Sequence, residues 1–236
     1  MSGHSKWAQI HRQKGAADTK RGALFTKLGN AITIAAKAGG GDVESNFRLR
    51  LVIDQARAAN MPKDNIERAI KRGTGELAGE KIEAVTYEGF GPGGTAFIIE
   101  CLTSNRNRSS ATIKHVLTKY GGSLGGPNSV SWLFEQKGII RVKKLDENLE
   151  LELIDVGARD IVREPDNVAI YTAPNDLKKV KDFLEKQGVA SEYAEVEFVA
   201  KEKKAVAENQ KEKIQKFSEE LDDSEDVNNY YTNAEI

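Results

Sequence analysis

Apolar positions in the first third of the chain recur at helical spacing. Over residues 16–38, Phe25, Leu28, Ile32 and Ala35 fall on one face of a 3.6-residue repeat, and Gly39-Gly40-Gly41 ends the run. Leu49, Ile53 and Ala56 mark the apolar side of a second helix. Pro62 fits the first turn of a third, where Ile66, Ala69 and Ile70 are apolar and Gly73 reads as the stop signal. Beyond Gly79 the period shortens. Residues 85–88 and 95–102 read as strands on either side of a glycine-rich turn. A helix is expected over 108–119, then a glycine-rich connection and a strand at 130–134. From 138 to 199 the pattern gives strand (139–142), helix (149–156), two strands (160–163 and 168–171), helix (175–186) and strand (194–199). That is the split β-α-β-β-α-β order of a ferredoxin-like unit. A last helix at about 208–221 and an apolar patch at 227–231 follow.

The fold class implied is α+β in three domains. Residues 1–78 form a three-helix domain with a polar arm. Residues 79–136 form an α+β domain that 204–236 complete, and 137–203 form a ferredoxin-like domain inserted into it. Composition agrees with a globular chain: 236 residues, 39 % hydrophobic and 30 % charged. No apolar run has the length of a membrane span, and the polar start Met1-Ser2-Gly3-His4-Ser5 has no signal-peptide core. The single Cys101, inside an apolar run, reads as a small buried hydrophobe. Together these point to the cytoplasm, with no membrane partner.

Charge changes the picture most. The net charge of −1 conceals 14 Lys and Arg against 6 Asp and Glu in the first 75 residues, and 21 against 30 in the rest. A basic module on an acidic protein directs its attraction at one polyanion, and nucleic acid is the commonest. The candidate contacts on the arm and first helix are Lys6, Trp7, His11, Arg12, Lys14, Lys20, Arg21 and Lys27. On the next two helices they are Arg48, Arg50, Arg57, Arg68, Lys71 and Arg72. Each alone fits a solvated helix face; the net excess is what argues for phosphate contact. Trp7 suits either stacking on a base or anchoring the arm. Arg106 and Arg108, where a strand hands over to a helix, offer either a phosphate seat or surface side chains beside an N-cap. The acidic stretch 219–226 reads as a solvated turn before a last strand, or as a shield for the basic face.

Catalytic and cofactor motifs are not found. Gly89, Gly91 and Gly94 spell a G-x-G-x-x-G, but Pro92 interrupts it and a strand follows, so a hairpin turn fits better than a dinucleotide loop. His4, His11 and His115 lack metal-ligand spacing. A non-enzymatic protein is expected, with no cofactor, no metal and no small-molecule substrate.

Several blocks then resemble the YebC family of transcriptional regulatory proteins: Gly3-His4-Ser5-Lys6-Trp7, Lys20-Arg21-Gly22 with Phe25-Thr26-Lys27-Leu28, and Asn60-Met61-Pro62. Further on come Tyr87-Glu88-Gly89-Phe90-Gly91-Pro92-Gly93-Gly94, Asn105-Arg106-Asn107-Arg108 and Gly121-Gly122-Ser123-Leu124-Gly125. The resemblance runs over nearly the whole chain and implies a helical domain and two α+β domains. Bacterial members are generally assigned as DNA-binding transcriptional regulators. A mitochondrial relative is a translational activator, and some bacterial members are linked to translation on the ribosome. The resemblance thus implies DNA as partner, with ribosomal RNA as the alternative. A second alternative, from the residues alone, is ligand sensing by the 138–199 unit, which would need an open polar pocket on its sheet.

Overall fold

The computed structural model describes residues 18–235, with side chains from Arg21 onward. The chain divides into two compact units, one of residues 135–199 and one of the segments before and after it.

Among the described residues the larger unit starts with three helices, α1 (Asp18–Gly39), α2 (Phe47–Ala58) and α3 (Lys63–Thr74). Their apolar stripes meet in one core: Leu28, Ile32 and Ala35 of α1, Leu49, Ile53 and Ala56 of α2, Ile66 and Ala69 of α3. The turn between α1 and α2 is fastened by Asn46. Its side-chain oxygen accepts from the Leu49 N–H at 3.0 Å, capping α2, while its amide donates to the Ala35 and Gly40 carbonyls at 2.9 and 2.8 Å. One buried side chain thus satisfies the end of one helix and the start of the next.

Gly73 is not the stop expected. The helix continues to Thr74 and ends on Gly75, whose φ of 84° suits glycine. Gly73 is instead where α3 meets α1: a Cβ there would lie 2.5 Å from the Thr33 carbonyl oxygen and 2.7 Å from the Ala36 Cβ. Thr33 Oγ1 donates to the Ala69 carbonyl at 3.1 Å beside this contact.

A four-stranded sheet follows, in the order β3-β1-β2-β9, formed by β1 (Glu83–Phe90), β2 (Ala96–Thr103), β3 (Ser123–Leu124) and β9 (Val227–Thr232). Strand β2 lies between β1 and the C-terminal β9, antiparallel to both. Its residues alternate. Phe97, Ile99 and Cys101 pack under α4 (Arg106–Lys119) and α7 (Glu208–Asp223), with Phe217 edge-on to Phe97 at 4.8 Å. On the other face Leu102 joins the core of the three helices. A short pair, β8 (Lys204–Ala205) with β10 (Ala234–Glu235), runs parallel.

The smaller unit contains β4 (Phe134–Val142), α5 (Asn148–Val156), β5 (Ala158–Arg163), β6 (Val168–Thr172), α6 (Leu177–Lys186) and β7 (Ser191–Ala200). Its sheet order β5-β6-β4-β7 is that of a ferredoxin-like unit. The strand expected at 130–134 is absent. Ser131–Leu133 make a 3-10 turn, and pairing begins at Phe134. Trp132 falls on that turn and stands 65 % exposed, its Nε1–H donating to the Ser129 carbonyl at 3.2 Å. The loop before it is held by Glu88, whose carboxylate accepts from the backbone N–H groups of Asn128, Val130 and Ser131 at 2.8–2.9 Å. Burial pushes that carboxyl up, but the three N–H donors outweigh it and hold the group below its ordinary value.

Candidate nucleic-acid interface

The sequence placed candidate contacts on three helices and on the start of a fourth, and the structure sorts them by what already holds them. Lys6, Trp7, His11, Arg12 and Lys14 lie outside the described residues, as does the side chain of Lys20. Arg21 is exposed on the first turns of α1. Lys27, by contrast, is only 8 % exposed, and its ammonium donates to the Asp222 carbonyl at 2.6 Å. The expected surface contact is a buried tie between α1 and the end of α7.

Arg106 and Arg108 are also engaged. The Asn105 side chain accepts from the Asn107 and Arg108 N–H groups at 3.1 Å, so the helix start offered as a phosphate seat is already capped. Arg106 pairs with Glu83 at 2.9 Å. Arg108 makes two hydrogen bonds to Asp226, at 3.2 and 2.9 Å, and these raise its pKa above the ordinary guanidinium value. The acidic stretch is therefore not a free turn. Asp222 takes Lys27 through its carbonyl, Asp226 takes Arg108, and Glu220 takes Lys119 at 2.7 Å.

On α2, Arg57 lies 3.9 Å from Asp54, and Arg50 stacks 5.4 Å over the Phe47 ring. Arg48, Arg68, Lys71 and Arg72 are exposed and have no ion-pair partner among the described residues. Three of these four sit on α3. Helical spacing explains the grouping: Arg68 and Arg72 are four residues apart and share a face, with Lys71 beside them. An exposed cation held by nothing keeps its full charge available to an incoming anion.

Between α1 and α3, on the Arg68–Arg72 side, lies a cavity of about 210 Å³. Gly29, Phe25, Met61 and Ala69 give it an apolar wall; Thr26, Asn30, Asn65, Arg68 and Arg72 supply the polar groups. Sequence reading passed over Asn30 and Asn65. The available signal was the polar succession Asn65, Arg68, Arg72 at helical spacing around Ala69.

Elsewhere, Cys101 is buried and its thiol is pushed up to about 12, mainly by burial. The G-x-G-x-x-G segment forms a 3-10 turn, Pro92–Gly94, between antiparallel β1 and β2. His115 is exposed on α4. Within the smaller unit, Arg141, Ile139 and Tyr171 share one sheet face by register. Arg141 is buried there and pairs with Glu164 at 3.0 Å. No helix among the described residues is long and apolar enough to cross a membrane.

A helical basic module followed by two antiparallel sheets defines the class, and comparison gives the family. The family model described as the TACO1/YebC protein N-terminal domain matches residues 5–76, and that described as the TACO1/YebC second and third domain matches residues 82–234. The chain belongs to the TACO1/YebC family. A probable transcriptional regulatory protein of Desulforapulum autotrophicum is 46 % identical over 239 residues, covering 100 % of this chain and 97 % of that one. One of Syntrophus aciditrophicus is 48 % identical, covering 100 % and 96 %. The crystal structure of a conserved hypothetical protein from Aquifex aeolicus superposes with a TM-score of 0.87 at 44 % identity, covering 98 % of this chain and 96 % of that one. The α+β architecture is thus that of a solved relative.

Proposed function

We propose that the protein is a non-enzymatic regulator of gene expression that binds nucleic acid through the outer face of α3. In the first reading the target is DNA and the step regulated is transcription, as the relatives' names suggest. The observation that carries this reading is the contrast among cations. Lys27, Arg57, Arg106 and Arg108 already have partners, while Arg68, Lys71 and Arg72 stand together with none among the described residues. Clustered Lys and Arg on one exposed helix face favour contact with the phosphate backbone. Arg48 and Arg21, and the arm with Lys6, Trp7, His11, Arg12, Lys14 and Lys20, extend the same reading. A chain with one buried thiol fits action in the cytoplasm.

The cavity favours a second reading, a ribosome-associated RNA-binding translation factor. A recess between two helices receives a splayed base, and splayed bases belong to single-stranded RNA rather than to undistorted duplex DNA. Sedimentation of cell extract on a sucrose gradient separates the two. Free protein that protects one promoter from nuclease supports the transcriptional reading. Co-migration with ribosomal particles after DNase treatment supports the translational one and contradicts a purely transcriptional role.

A further inference from the structure

We infer that the cavity between α1 and α3 is a seat for one unstacked nucleotide of a single-stranded nucleic acid, with the base inside and its phosphate on Arg68 and Arg72. This rests on the nucleic-acid reading above and goes beyond it by naming the form recognised.

The geometry begins at Gly73. There the two helices touch with no side chain from α3 between them, and toward their N-terminal ends they enclose the cavity. Gly29 on α1 lines it, and the nearest atom to a Cβ at that position is the Met61 Cε at 3.8 Å. A space of about 210 Å³ is smaller than the roughly 300–1,000 Å³ of drug-sized sites, so it accepts one ring system rather than two stacked bases. Phe25 and Met61 supply apolar contact for a ring. Phe25 supplies the aromatic group on which single-stranded bases commonly stack. The side-chain amides of Asn30 and Asn65 make no hydrogen bond among the described residues, and each presents a donor and an acceptor to a base edge. Arg68 and Arg72, one turn apart at the rim and without ion pairs among the described residues, are placed for the adjoining phosphate. Apolar wall, paired amides and unengaged guanidiniums together match the parts of a nucleotide: ring, ring edge and phosphate.

The test measures binding of the full chain to labelled single strands of about 12 nucleotides, uridine, adenosine or deoxythymidine, and to a duplex of equal length. Single strands are expected to bind more tightly than duplex; the ribo- and deoxyribo- arms tell which strand is preferred. Thr26→Trp fills the cavity without altering charge. It is expected to weaken single-strand binding about ten-fold while leaving duplex binding and the salt dependence as in wild type. Asn30→Ala with Asn65→Ala, which adds no bulk, is expected to act in the same direction and decides the matter should Thr26→Trp fail to fold. Folded variants that bind single strands as wild type does would overturn the inference while leaving phosphate binding by α3 intact. Wild-type protein that binds none of these probes in a salt-dependent way would overturn the nucleic-acid reading itself.

Discussion

The ammonium of Lys27 donates to the backbone carbonyl of Asp222 at 2.6 Å, joining α1 to α7 across 195 positions of sequence. This contact assigns structure, not binding, to a residue that lies within the most basic part of the chain. It also sets a carbonyl at the end of α7 on a cation, which is the favourable sign for a helix C-terminus.

Replacing Lys27 by Met removes the donor while keeping most of the apolar stem. Loss of a charged hydrogen bond in a buried site costs about 1.5–3 kcal/mol. Thermal unfolding followed by circular dichroism is expected to move down by several degrees. Nucleic-acid affinity measured well below the transition is expected to stay near wild type. A large affinity loss with unchanged melting would reverse the assignment.

Gly73 gives the sharpest steric prediction. A Cβ there must displace the Thr33 backbone carbonyl, so Gly73→Ala is expected to destabilise the helical core by about 1–3 kcal/mol despite alanine's better helix propensity. Gly22→Ala, with nothing within 4 Å of its Cβ, is the control and is expected to be neutral or stabilising. Denaturant titration of both variants checks this.

Glu88 predicts a pH response. Its folded pKa is depressed, so its contribution is present above the unfolded value, near 4.5, and is lost as pH falls through the lower folded value. Hydrogen exchange of the Asn128, Val130 and Ser131 amides is expected to rise below about pH 4.5 beyond the intrinsic rate. Glu88→Gln is expected to raise it at neutral pH as well. Equal protection in the variant would mean that the loop is held by something else.

Cys101 is expected to be inert. With its thiol pushed up to about 12, a thiol reagent at pH 8 is expected to react only after denaturant is added. Rapid reaction of the native protein would contradict the burial of β2.

Much of this fold was legible in the sequence, because its elements carry clear periods. The apolar faces of α1, α2 and α6 and the β-α-β-β-α-β order follow from spacing and agree with the structure. The failures have physical causes. Gly73 was read by its propensity, whereas its role is a helix contact that no local pattern encodes. Residues 130–134 are apolar enough for a strand, yet Glu88, more than forty positions away, holds their amides in a turn. The candidate site was legible only as a charge excess. Which cations are free depends on partners such as Asp222, Glu83 and Asp226 that arrive from distant segments. The cavity depends on two helices separated by α2, and on side chains unremarkable one at a time.

The central claim is that the exposed cations of α3, Arg68, Lys71 and Arg72, form the nucleic-acid face. The most direct test compares wild type with Arg68→Glu, Lys71→Glu and Arg72→Glu combined, measuring affinity as a function of salt. Each phosphate contact removed lowers the slope of log affinity against log salt by about one, so the triple variant is expected to lose about two to three units of slope and at least ten-fold in affinity, with unchanged melting. The control, Arg106→Gln with Arg108→Gln, is expected to bind as wild type does. A triple variant that keeps the wild-type affinity and slope would contradict the account.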